Sequence, residues 1–164
     1  MERGSWMKWL RAFFRHWARR SQTSSLLRSL PVEVDPAEEI SSFVRYDGHL
    51  NHRTGTVKHE HFKPREVRGR FESSVYRTSG LTLADNWALI RVVFEEGRNN
   101  TAKARAYGPA DAILNAGLSF DADGQPHPRH ANIVGWDSSE KHLRKQQAMN
   151  FASAFRFEER PIGT

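Results

Sequence analysis

The chain has 164 residues, a net charge of +6, a pI near 10.1 and no cysteine. That length suits one domain with an appendage and is ample for a core, while the missing cysteines exclude disulfides, thiolate zinc sites and cysteine nucleophiles. No apolar run approaches the roughly 18 residues of a membrane span and no apolar h-region follows the N-terminal charges, so the expectation is a cytoplasmic protein without a transmembrane span, open to peripheral membrane contact.

The basic charge points to nucleic acid or an anionic membrane as a partner, and it is unevenly placed. Residues 1–28 hold seven Lys/Arg against Glu2 alone, and the remainder of the chain is balanced. Within that remainder, residues 49–77 carry a local +4, and residues 29–48 oppose it with five acids against Arg45. The basicity therefore belongs to two patches.

The segment "SWMKWLRAFFRHWARR" sets Trp6, Trp9, Leu10, Phe13, Phe14 and Trp17 at helical spacing, with Lys8, Arg11, Arg15 and Arg19 on the opposite face. This predicts a basic, aromatic amphipathic helix over residues 1–20. Its stripe (Trp6, Trp9, Phe13, Phe14, Trp17) would pack on the chain's own core or a second copy, dock in a partner protein, or lie in a membrane surface. Residues 21–39, Ser-rich and with Pro31 and Pro36, read as a linker. A domain spanning 40–160 would follow.

Strands are expected over 40–46, closed by Asp47-Gly48, over 56–62, where His59 and His61 would share a face, and over 73–79. Thr82 with Asp85 predicts a capped helix whose apolar face is Leu83, Trp87, Ile90 and Phe94 and whose stop is Gly97. A strand over 101–107, a short helix over 110–117, and strands in "LSFDA" and "HANIVGW" come next. Asp137, with Glu140 at the third position, would cap a last helix running to about Phe155. About five strands and three helices in mixed order predict an α+β fold with a mostly antiparallel sheet covered on one face.

The motifs F-x-P (Phe62, Pro64), S-V-Y-R-T-S-G-L (Ser74–Leu81) and H-A-N-I-V-G-W (His130–Trp136) resemble those of a family of small uncharacterised bacterial proteins, over roughly residues 40–155. Asp137 stands where that family's pattern has proline. The resemblance implies a bacterial domain and no particular chemistry.

Four of the eight histidines fall within residues 49–66, among lysines and arginines. A metal held by His59, His61 and His49 or His52 would want neighbouring carboxylates, and the setting is positive, so no metal and no cofactor is expected. The favoured reading is an anion site formed by His49, His52, Arg53, Lys58, His61, Ser79 and Arg129 around Arg77, with the start of the helix at Thr82 completing a phosphate cradle. Arg77 paired with an internal carboxylate such as Asp85 is the competing reading. With His59 and His130 as acid and base and Arg77 holding charge, such a site would suit metal-free phosphoryl or glycosyl transfer on RNA or a nucleotide. The alternative is a non-catalytic binding or accessory module assembled through the N-terminal helix. Histidines gathered in one cleft would favour the enzyme, dispersed ones the module. Lys141, Arg144 and Lys145 on the last helix read as a solvated face, with phosphate contact as the lesser reading.

Overall fold

The structure is a computed structural model that describes residues 25–96 and 100–162. The helix expected over 1–20, with Trp6, Trp9, Phe13, Phe14 and Trp17, lies outside the described residues, as does Gly97. Among the described residues nine strands make one sheet: β1 (Glu39–Val44), β2 (Leu50–Asn51), β3 (Thr56–Val57), β4 (Arg65–Val67), β5 (Arg70–Arg77), β6 (Ala104–Pro109), β7 (Ser119–Asp121), β8 (His130–Val134) and β9 (Arg156–Glu159). The order is β2-β3-β9-β6-β1-β5-β8-β7, with β4 beside β5, and every pairing is antiparallel. Three α-helices accompany it, α1 (Leu83–Ile90), α2 (Ala110–Asn115) and α3 (Lys141–Ala152). The fold is the expected mixture of helices with an antiparallel sheet, but the sheet has nine strands rather than about five. The unexpected ones, β2, β4 and β9, are only two to four residues long, too short for alternation to register.

β4 and β5 show how such a strand arises. Val67 pairs with Arg70 across the two-residue loop Arg68-Gly69, and both loop residues have positive φ, 53° and 80°. That is the geometry whose twist matches a tight hairpin, and Gly69 adopts it without steric cost.

The sheet is covered on both faces, not one. Strand alternation turns Ile40, Val44, Val75, Ala104, Ala106, Ala131 and Ile133 to the face packed by α2 and α3, in one core with Phe62, Phe151 and Phe155. The Phe62 ring lies 4.9 Å from both Phe151 and Phe155 in edge-on contacts. Burying rings of this size contributes about 1.5–3 kcal/mol each. The opposite face carries Phe43 and Tyr76, stacked at 4.9 Å, in a second core with Trp87, Leu89, Ile90, Val92 and Val93. The Thr82–Asp85 capping box forms as expected, but Leu83 is half exposed and Leu89 is buried instead. After α1 the helix widens to π geometry over Arg91–Glu96, which brings Val92 as well as Val93 into the core.

Gly108 has a packing reason to lack a side chain. A Cβ there would stand 2.8 Å from Cδ2 of Phe155, which is fully buried. Gly108→Ala is therefore expected to cost about 1–3 kcal/mol through overpacking. Urea denaturation would measure it, and an unchanged midpoint would mean that the Phe155 ring shifts freely.

The described part of the Ser/Pro segment, residues 25–38, is fastened to the domain. Leu26 is fully buried in the second core. Arg129 donates from Nε and Nη2 to the Ser25 carbonyl, at 3.2 and 2.7 Å, and from Nη1 to the Arg77 carbonyl at 2.8 Å. Backbone carbonyls do this fastening, and a polar composition does not reveal them.

Candidate functional site

Arg77 does not stand in an anion cradle. Its side chain is 3% exposed and forms a two-pronged ion pair with Glu38, Nε donating at 2.7 Å and Nη2 to the second carboxylate oxygen. Its remaining donors reach the Pro31 carbonyl and, at 3.1 Å, the Glu33 carbonyl. Burial alone would raise the Glu38 carboxyl, but hydrogen bonds from Arg77 and the Asp35 amide, together with the Arg77 charge, hold it below its ordinary value. The internal-carboxylate arrangement is thus the one present, with Glu38 rather than Asp85 as partner. The start of α1 is likewise closed by its own residues: Thr82 and Asp85 cap each other, and the Ser79 hydroxyl accepts the Glu39 amide at 2.6 Å.

The other expected members of the site are dispersed. His130 is buried on β8, its Nδ1 3.2 Å from Asp123 and its ring edge-on to Tyr76, on the α1 side of the sheet. His59 lies on the α3 side. Arg129 serves the 25–38 segment, as above. His52 is exposed between Asp47 at 3.1 Å and Glu159 at 3.3 Å, Arg53 is exposed in the β2–β3 turn, and Lys58 donates to the Gly48 carbonyl at 2.8 Å.

The strand expected over 56–62 stops at Val57, and His59–Phe62 form a 3-10 turn instead. The reason is Phe62: the tight turn drives its ring between Phe151 and Phe155, a burial worth more than continued strand pairing. His59 and His61 consequently separate. His61 is partly buried, its Nε2 2.9 Å from the Ser42 hydroxyl and its ring 5.7 Å from His49. Burial, with the adjacent His49 adding to it, pushes this imidazole down to about 3. It is neutral at any working pH, so it offers an anion no charge and is a poor base for Ser42. His49 Nδ1 is buried and meets no hydrogen-bond partner among the described residues.

Among the described residues, His59 is the one of His59, His130 and Arg77 that borders a substantial cleft. The cleft lies between the 59–62 turn, the start of the β4–β5 hairpin and α3, and has a volume of about 420 Å³. Lys141, Arg144, Lys145 and Ala148 line it from α3, at i, i+3, i+4 and i+7, hence from one helix face. Lys63 and His59 face them, Phe71 and Pro64 complete the apolar part, and Glu60 is the one carboxylate in the lining. Lys63, Lys141 and Lys145 enter no ion pair among the described residues. Arg144 is held in place: its guanidinium lies 3.8 Å over the Phe71 ring and Nη1 donates to the Asp137 carbonyl at 2.9 Å. α3 begins at Lys141, later than expected, because Asp137 folds its carboxylate onto the amides of Ser139 and Glu140 in a turn ahead of the helix.

The 141/144/145 spacing was readable as one helix face, but Phe71 and Pro64, which turn that face into a cleft wall, come from a hairpin about seventy residues away in sequence. Among the described residues no group of three or more His, Asp or Glu is placed to hold a metal ion, and no helix is long and apolar enough to cross a membrane. No family model, curated protein or solved structure matches the chain.

Proposed function

We propose that this domain is a binding module for a phosphate-bearing ligand, RNA or a nucleotide, held in the cleft between the 59–62 turn and α3. The observation that carries this reading is the lining: four Lys/Arg and His59 against Glu60 alone, around a concave space of about 420 Å³ with apolar walls. Cations converging on a partly apolar cleft suit a ligand that couples an anionic group to a less polar body. A catalytic reading has less support, because His59, His130 and Arg77 are distributed over both sides of the sheet and Arg77 is committed to Glu38.

The charge-reversed double variant Lys141→Glu/Lys145→Glu tests the proposal. Both side chains are exposed, so the fold should be unaffected. Binding of a short single-stranded RNA should fall at least about tenfold, and wild-type affinity should decline steeply with added salt as counterions compete. Unchanged affinity in the double variant would remove the cleft from consideration.

A further inference from the structure

We infer that the ligand is a stretch of single-stranded RNA lying along α3, one nucleotide in the basic cleft and the next in an adjoining one. This rests on the phosphate reading above and extends it. The second cleft, about 430 Å³, is lined in part by Asn51, Thr56, Val57, Met149 and Ala152, and shares His59 and Glu60 with the first. The two therefore form one groove along the twelve residues of α3, about 17 Å at the helical rise. That length exceeds a single nucleotide and accommodates two consecutive units of an extended strand.

The chemistry changes along the groove. At the α3 N-terminal end Lys141, Lys145 and Lys63 supply charge for a phosphate, and Arg144, held 3.8 Å over the Phe71 ring, offers its guanidinium as a platform for a base. The far end carries less charge, with Met149 and Val57 against Asn51 and Thr56, and its one lysine, Lys58, donates to the Gly48 carbonyl. A base with polar edges fits there better than a second phosphate. Glu60 stands where the clefts meet. A ribose 2′-hydroxyl at that point would donate to the carboxylate, which selects RNA over DNA.

Titrating the full chain with ribose 5-phosphate, AMP, the ribodinucleotide pApA and its deoxy counterpart tests this. AMP should bind about tenfold more tightly than ribose 5-phosphate through one stacked base, and pApA should gain a further factor of about ten. Arg144→Lys keeps the charge but loses the plane, and should bring AMP to the level of ribose 5-phosphate. Met149→Asp, at an exposed position, should bring pApA to the level of AMP. If pApA binds no better than AMP in the wild type, the strand assignment is overturned while the phosphate reading stands; if the deoxy dinucleotide matches pApA, the assignment to RNA is overturned. If none of the four binds, the phosphate reading itself fails.

Discussion

Lowering the pH from 7 to 5 is expected to destabilise the fold by about 2–4 kcal/mol, before most carboxylates are protonated. His127 is fully buried, and burial together with the charges of Arg129 and His130 pushes its imidazole down to about 4. His61 lies at about 3. In the unfolded chain both would take up a proton near 6.5, so below that pH the unfolded state binds more protons and stability falls with pH. The loss begins near 6.5 and continues until the folded-state values are reached. At pH 5 His127 accounts for about 2 kcal/mol, and His61, part of whose ring is exposed, for up to a similar amount. Against a total of about 5–15 kcal/mol for a typical domain, this is a large share. The lowered carboxyls of Glu38 and Asp137 contribute with the same sign, but only as the pH falls from the ordinary carboxylate range towards their lowered values. Urea denaturation at the two pH values measures the change. His127→Gln should be less stable at pH 7 yet lose less between pH 7 and 5. An unaltered pH slope in that variant would count against His127 as a source of the acid sensitivity.

Arg77→Ala should be among the most damaging single substitutions in the chain, at about 3–5 kcal/mol, or a fall in Tm on the order of 10 °C. It would leave the largely buried Glu38 carboxylate without its partner and strip donors from the Pro31 and Glu33 carbonyls. The cost is mainly the penalty of an uncompensated charge, so Arg77→Ala combined with Glu38→Gln should recover part of it. Thermal denaturation of the two variants decides this. A stable Arg77→Ala protein that has lost ligand affinity would return Arg77 to the binding site.

The two predictions share a cause that the sequence conceals. Arg77 sits in a conspicuous motif, and its charge suggested a ligand, because a sequence shows the charge without showing what neutralises it. The partner, Glu38, is thirty-nine residues upstream in a stretch whose polar composition reads as linker. His61 poses the same difficulty, since an imidazole in a basic segment looks like a cation until its packing makes it neutral.

What the sequence by itself determined is local. The Thr82–Asp85 cap, the strands around Ser41, Val75 and Ile133, and the helix carrying Phe151 are present, because capping and alternation depend on residues a few positions apart. Tertiary structure decided what depends on distant contacts. Phe62, drawn between Phe151 and Phe155, bent an expected strand into a turn and separated His59 from His61. The same contact set His59 beside α3, whose Lys141, Arg144 and Lys145 read in sequence as a solvated face. Phe71, brought in by the β4–β5 hairpin, made that face the wall of a cleft, because a concave site exists only where two elements far apart in the chain pack against each other.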